Sequence, residues 1–286
     1  RLVENEVFIS ASIGIVLSTL GYSLPEDILR DADIAMYHAK MRGKACYAVF
    51  QPSMHKHSIM RMELENELRE ILSSTELCNE HLFVVFQPII SAQDEKILGF
   101  ETLVRWQHPI RGVIMPGEFI PLAEETGLIN DIGEWVINTA CAQGKKWHDK
   151  GFDNLQMGVN LSVRQFYDLN LVDKIRSAID KTHFNPSSLE LEITETAMMF
   201  NTDRAIRIME EIKEMGVKVA LDDFGTGFSS LMHLKLFEID KLKIDQVFIR
   251  NADLDGRDGA IISSIIDMCH KLRIEAVADD MQGAMA

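Results

Sequence analysis

Hydrophobic and polar residues follow two different patterns along the 286-residue chain. In the first part, residues 7–17 and 46–50 form β-rich apolar runs, and residues 26–40 carry apolar side chains at helical spacing. About fifty residues in this arrangement bury their own apolar face poorly, so we expect them to be the end of a larger domain. Residues 53–72 follow with a single apolar stripe, which predicts an amphipathic helix that connects two domains.

From residue 80 onward, short β-branched runs alternate with helical segments. The runs at 81–90 and 97–106 flank a polar turn and predict an antiparallel hairpin. The later runs predict strands separated by helices, which is typical of a parallel sheet covered by helices. The predicted strands are 156–161, 189–193, 218–221, 241–244 and 274–278, and the predicted helical segments are 116–126, 129–150, 172–181, 202–215, 228–234 and 259–272. This number of β/α units favours an α/β fold that closes into a (β/α)8 TIM-like barrel.

Polar side chains stand at or near the carboxyl ends of several predicted strands. They are Glu101, Asn160, Glu192, Asp222, Asp223 and Lys243. Because the carboxyl ends of the strands meet on one face of a parallel barrel, we expect these side chains to share one cleft. Carboxylate and amide oxygens are suitable ligands for Mg²⁺ or Mn²⁺, and the lack of His and Cys at these strand ends disfavours zinc.

Each of these residues also has a purely structural interpretation. The alternatives are an edge strand for Glu101, a turn for Asn160, a helix cap for Asp222 and Asp223, a solvated side chain for Lys243, and an outward orientation for one of Glu190 and Glu192. Five separate predicted strands carry residues of the metal-ligand type at their carboxyl ends. One shared site explains this pattern better than five unrelated, solvated positions would.

Composition narrows the class of partner. Asp and Glu number 44 against 29 Lys and Arg, and the resulting net charge of −15 disfavours binding to a nucleic acid polymer. The four cysteines lack the spacing of a zinc site or a disulfide framework. This spacing favours reduced thiols and a cytoplasmic location. No apolar run is long enough to cross a membrane, so we expect no membrane contact from this segment, while a parent protein anchored through upstream regions stays open.

The order of six motifs is similar to that of the EAL domain, the cyclic di-GMP phosphodiesterase family. The motifs, which lie within residues 79–278, are FQPII, ETLVRW, NLSVRQF, LELEITET, DDFGTGFSSL and FEIDKLKIDQVFI. The first 52 residues resemble the end of a GGDEF (diguanylate cyclase) domain that lacks its signature motif, so we expect no cyclase activity. The resemblance implies a GGDEF remnant at 1–52, a linker helix at 53–78 and an EAL barrel at 79–286, whose first strand is antiparallel.

The resemblance also implies a reaction and roles for individual residues. The reaction is metal-dependent hydrolysis of cyclic di-GMP to linear pGpG, and the assembly is a homodimer. The implied ligands of two Mg²⁺ or Mn²⁺ ions are Glu101, Asn160, Glu192, Asp222 and Asp223. The implied catalytic residues are Lys243, Asp279 and Glu101, and the implied contacts to cyclic di-GMP are Gln87, Arg105 and Gln282.

The last eleven residues, AVADDMQGAMA, depart from the family pattern. Aligned without a gap, Asp279 replaces a catalytic Glu and the barrel lacks its last strand and helix. Aligned with a deletion, DDMQG matches a later part of the family and Gln282 becomes the late ligand-contacting glutamine. A cloning or assembly junction is the third interpretation. The departure leaves a second function open, in which a degenerate EAL domain binds cyclic di-GMP as a receptor without turnover.

Overall fold

A computed structural model of the chain describes residues 10–43, 45–224, 237–251 and 256–278. The chain divides into two compact units, Arg1–Arg69 and Glu70–Ala286. Asp279, Gln282 and the helical turn predicted at 228–234 lie outside the described residues. No helix within the described ranges is long and apolar enough to cross a membrane.

The first unit is a small β-α-β arrangement. Its strands β1 (Ile13–Ile15) and β2 (Tyr47–Val49) are parallel and are connected through a 3-10 turn (Ser18–Leu20) and helix α1 (Pro25–Met41). A Cβ atom on Gly14 would lie 1.9 Å from the carbonyl oxygen of Ala32, so only glycine allows β1 to approach α1 this closely. The buried core consists of Ala35, Ala39, Ala48, Phe50 and Met54. Helix α2 follows as Pro52–Ile71.

The second unit contains an eight-stranded sheet. Its strands are β3 (Leu82–Ile90), β4 (Ile97–His108), β5 (Gly112–Ile114), β6 (Gln156–Leu161), β7 (Leu189–Thr194), β8 (Lys218–Phe224), β9 (Lys241–Ile244) and β10 (Glu275–Ala278). Their order is β10-β9-β8-β7-β6-β4-β3, with β5 on the free part of β4. Strands β3 and β5 are antiparallel to β4, and the other neighbours are parallel, which confirms the predicted hairpin and the predicted parallel sheet.

Helices follow strands β5, β6, β7 and β9, and helix α3 precedes β3. The helices are α3 (Thr75–His81), α4 (Pro116–Thr126), α5 (Ile129–His148), α6 (Val163–Phe166), α7 (Leu171–Thr182), α8 (Glu195–Phe200), α9 (Thr202–Glu214), α10 (Gln246–Asn251) and α11 (Gly256–Leu272). A further 3-10 turn, Pro186–Ser188, precedes β7. The segment predicted as one linker helix at 53–78 instead contains most of α2 and the first residues of α3. The break arises because Ser74 caps a new helix by accepting a hydrogen bond from the backbone N of Leu77.

The two faces of the sheet differ in chemistry. One face is apolar and buried, with Val159, Leu191, Val219 and Leu242 at most 1% exposed. The opposite face carries the polar positions, because side chains two residues apart on a strand share a face. The expectation that one of Glu190 and Glu192 points outward is therefore wrong, since the two residues lie on the same face and each is 1% exposed.

The sheet is strongly curled. Strands β4 and β9 are four steps apart in the sheet order, which would separate them by roughly 19 Å in a flat sheet. Yet Nζ of Lys243 on β9 lies 3.4 Å from Oε2 of Glu101 on β4. The polar face is thus the concave interior of an α/β fold, in which β3 and β10 are the two ends of the sheet among the described residues. Closure into a complete barrel stays a prediction.

Candidate active site at the strand ends

Three carboxylates from three strands surround the ammonium group of Lys243. Nζ of Lys243 lies 2.6 Å from Glu192 Oε2, 3.4 Å from Glu101 Oε2 and 3.4 Å from Asp222 Oδ1. The side chain of Lys243 is 7% exposed, so the alternative of a solvated lysine is wrong. Desolvating four charged groups costs several kcal/mol per ion, and such clusters are concentrated at functional sites.

Asn160 joins the cluster at its open side. Its Nδ2 donates a hydrogen bond to Glu101 Oε1 over 2.6 Å, and its register partner on β7 is Glu192. Asn160 is exposed whereas Glu192 is buried. It lies inside strand β6, so the alternative of a turn residue is wrong. The cluster is therefore buried at Glu192 and reaches solvent at Asn160.

The charges in the cluster are unbalanced in favour of negative charge. Burial alone would lower the pKa of Lys243, but the attraction of Glu192, Asp222 and Glu101 outweighs burial and raises it, so the ammonium form persists at neutral pH. Burial raises the pKa of Glu192, the ammonium of Lys243 opposes that effect, and the carboxylates of Glu101 and Asp222 add to it. One ammonium group faces three carboxyl groups, which makes the site attractive to further cations.

Asp222 and Asp223 lie at an irregularity in strand β8. The register of β8 against β9 shifts between Leu221 and Phe224, and Asp223 has a φ of 55°, in the left-handed region that Asp adopts more readily than most residues. The backbone N of Asp223 donates to Asp222 Oδ1 over 3.0 Å. Asp222 points into the cluster while Asp223 is exposed. Both residues belong to the strand, so the alternative of a helix cap is wrong.

Gly158 is a site residue that the sequence interpretation missed. A Cβ atom at this position would lie 2.3 Å from Glu192 Oε1, far inside van der Waals contact. Its register partners are Glu101 and Glu190, so it occupies the interior face between two acidic strands. The space that seats the Glu192 carboxylate thus exists because residue 158 has no side chain. A lone glycine inside a predicted strand was the only signal for it.

Gln87 and Arg105 lie on the same interior face as Glu101. Gln87 on β3 is the register partner of Glu101, and Arg105 follows Glu101 by four residues on β4. Arg105 is half-buried, and its Nη1 donates to the carbonyl oxygen of Val104 over 2.8 Å. Both side chains therefore line the side of the cleft next to Glu101, and a role in ligand binding remains a prediction.

The donor atoms in the cluster fit a hard divalent cation. Carboxylate and amide oxygens of Glu101, Asn160, Glu192 and Asp222 converge from four strands, and these are the ligand types that Mg²⁺ and Mn²⁺ prefer. Glu192 Oε1 is buried and has no hydrogen-bond partner among the described residues, so it is available to bind a cation or accept a hydrogen bond. Among the described residues, no three or more His, Cys, Asp or Glu side chains are already arranged as a metal site, and the ammonium of Lys243 lies between the carboxylates.

The family model of the EAL domain matches residues 67–284. The chain belongs to the EAL domain family. The match covers all of the described strands of the curled sheet and every residue of the cluster around Lys243.

Two similar curated proteins are named as cyclic di-GMP phosphodiesterases, one of them also as a diguanylate cyclase. The whole chain is 40% identical over 282 residues to the bifunctional diguanylate cyclase/cyclic di-GMP phosphodiesterase MucR of Pseudomonas aeruginosa, and the alignment covers 99% of this chain and 40% of that protein. It is 37% identical over 284 residues to the cyclic di-GMP phosphodiesterase PdeR of Escherichia coli K12, covering 99% of this chain and 42% of that protein. The chain spans between 33% and 43% of the length of the curated relatives it matches.

A solved structure has the same fold. The PaMucR phosphodiesterase in complex with c-di-GMP aligns with a TM-score of 0.72 and 40% sequence identity, covering 78% of this chain and 88% of that chain. The α/β fold with a curled sheet is therefore that of the EAL domain.

Proposed function

We propose that this EAL domain is a phosphodiesterase that hydrolyses cyclic di-GMP to linear pGpG with two bound Mg²⁺ or Mn²⁺ ions. The observation that carries the proposal is the convergence of Glu101, Glu192 and Asp222 on Lys243 at the strand ends of the concave face. The names of MucR and PdeR, and the c-di-GMP complex of PaMucR, support cyclic di-GMP as the substrate.

The residues that would hold the ions are Glu101, Asn160, Glu192, Asp222 and Asp223. Bound divalent ions would supply charge neutralisation for the phosphodiester and a lowered pKa for the attacking water. Glu101 and Asn160 are already oriented by their mutual hydrogen bond, and Gly158 leaves the space that Glu192 occupies. These contacts hold oxygen donors from different strands in one small volume, which reduces the reorganisation needed on binding.

Lys243 would act on the reacting phosphate or its nucleophile. Its ammonium group is buried, protonated and placed between the three acidic residues. A fixed positive charge there offsets the negative charge that develops as water attacks phosphorus. Arg105 and Gln87, which line the neighbouring wall, would contact the nucleotide, and Asp279 and Gln282 keep their implied catalytic and ligand-contacting roles as predictions.

Two assignments outside the cluster also remain proposals. The match to MucR covers 99% of this chain, including the residues before the EAL model begins, and MucR is named as a diguanylate cyclase as well. This supports the assignment of residues 1–52 to a GGDEF remnant. The homodimer implied by the resemblance is proposed as the assembly.

The test is incubation of the chain with cyclic di-GMP and Mg²⁺ or Mn²⁺, with pGpG measured by chromatography. We expect product from the wild type, none after chelation with EDTA, and none from Asp222→Asn, which removes the charge of one proposed ligand. Asp173→Asn, at a surface ion pair with Arg176, is the control and should retain activity.

Two results would contradict the phosphodiesterase. Equal inactivity of the wild type and Asp222→Asn would refute hydrolysis by this chain. Binding of cyclic di-GMP without product, unaffected by EDTA, would instead support the receptor function.

A further inference from the structure

A second buried ion pair lies on the interior face beneath the candidate active site. Nζ of Lys241 lies 3.0 Å from Oε1 and 2.8 Å from Oε2 of Glu190, and 3.4 Å from Oε1 of Gln156. The side chains of Lys241 and Glu190 are 3% and 1% exposed. Branched apolar side chains usually fill a barrel interior, and a buried ion pair is seldom more stabilising than a packed apolar pair. The pair therefore needs a reason other than stability.

The two ion pairs repeat one geometry along the same two strands. Glu190 and Glu192 are two residues apart on β7, and Lys241 and Lys243 are two residues apart on β9. Ala220 on the intervening strand β8 is the register partner of both Glu192 and Lys241. Lys241 thus stands level with Glu192 but binds the carboxylate one step below, while Lys243 binds Glu192.

This arrangement decides which ammonium group reaches Glu192. We propose that Glu190 is a positioning residue that holds Lys241 away from Glu192 and so keeps Glu192 available to a divalent cation. Without Glu190, the remaining β7 carboxylate on the face of Lys241 is Glu192, whose Oε1 has no hydrogen-bond partner among the described residues. A second ammonium group there would neutralise the carboxylate and compete with the cation.

The inference rests on the proposed function, in which Glu192 is a cation ligand. Besides Glu190, two other acceptors lie near Nζ of Lys241: Oε1 of Gln156 at 3.4 Å and Oε2 of Glu275 at 4.0 Å. The side chain of Glu275 is 47% exposed. Lys241 gains less from the neutral amide of Gln156, or from an exposed and well-solvated carboxylate, than from a buried carboxylate, so we expect it to turn to Glu192.

The experiment compares Mn²⁺ binding, measured by calorimetry, in the full chain and two variants. Glu190→Met keeps the length of the side chain and removes the carboxylate, and we expect it to weaken Mn²⁺ binding by about 10- to 100-fold, as for other residues that orient metal ligands. Glu190→Met combined with Lys241→Met also removes the competing ammonium group. The double variant should therefore bind Mn²⁺ nearly as tightly as the wild type.

Because Lys241→Met also removes the buried charge that Glu190→Met leaves unpaired, urea unfolding of all three proteins accompanies calorimetry, and Mn²⁺ affinities are compared under conditions in which each protein is folded. The control is Lys174→Met, which removes ion pairs with Asp168 and Glu134 outside the interior face and should leave Mn²⁺ affinity unchanged. If Glu190→Met does not fold, Glu190→Gln replaces it in both comparisons, with the same expected order.

Three results decide the matter. Wild-type Mn²⁺ affinity in the single variant would overturn the inference. Equally weak Mn²⁺ binding in the single and double variants would also overturn it, because Lys241 would then not be the competitor. A wild type that binds Mn²⁺ without hydrolysing cyclic di-GMP would refute the proposed function alone, since the binding comparison still judges the role of Glu190.

Discussion

Replacing Gly158 by alanine should disable the candidate active site without unfolding the protein. The new Cβ atom would lie 2.3 Å from Glu192 Oε1, and the next atoms, Glu192 Cδ at 3.5 Å and Glu101 Cα at 3.7 Å, are at ordinary contact distances. The Glu192 carboxylate must therefore retreat by about 1 Å to reach van der Waals separation. Displacements of this size cost about 10²-fold in rate, or about 2.7 kcal/mol in activation free energy.

Stability should respond differently from activity. Alanine restricts the unfolded chain relative to glycine, which favours folding by about 0.4–1 kcal/mol and partly offsets the local clash. The assays are steady-state hydrolysis of cyclic di-GMP at saturating Mn²⁺ and urea unfolding of the same preparations. Gly117→Ala is the matched control, because a Cβ there meets no atom within 4 Å, and it should keep the wild-type rate. A wild-type rate in Gly158→Ala would refute the argument that this glycine seats Glu192.

Two further predictions concern stability. The hydroxyl of Thr102 is buried without a hydrogen-bond partner among the described residues, so Thr102→Val should raise the free energy of unfolding by about 1 kcal/mol. Thr182→Val removes a hydroxyl that donates to a backbone carbonyl, so it should lower the free energy of unfolding. Urea unfolding measures both changes. Burial alone would raise the pKa of Asp31, but hydrogen bonds from Tyr22 and Arg30 help to lower it overall. Its stabilisation is therefore complete above the unfolded pKa and is lost as the pH falls below about 4. The unfolding free energies of wild type and Asp31→Asn should converge in that acidic range, and a constant difference down to the lowest pH would contradict the role of ionised Asp31.

Local patterns predicted the elements better than their ends. Strand β6 was predicted as 156–161 and is observed as Gln156–Leu161, because its short run ends where Ser162 caps helix α6. Strand β8 was predicted to end at residue 221 but continues to Phe224, since Phe224 pairs with Ile244 beyond the irregularity. Such pairing depends on a strand that is distant in sequence and has no local signal.

The same division holds for the candidate site. Glu101, Asn160, Glu192, Asp222 and Lys243 were found because each interrupts or ends an apolar run, and the structure brings all five together. Gly158 and the lower ion pair of Glu190 and Lys241 were missed. Their importance comes from contacts between strands, and one charged residue in a strand looks the same whether it is paired, solvated or catalytic.

The sequence by itself determined which strands carry oxygen donors, and alternation, a local property of the backbone, determines which donors on one strand share a face. Only the tertiary structure decided that β4 and β9 meet across the concave face and that each lysine binds a different glutamate of β7. Curvature of a sheet is the sum of twists and packing contacts over many strands. No short stretch of sequence contains that sum, so the distances between the charged groups exist only in the folded chain.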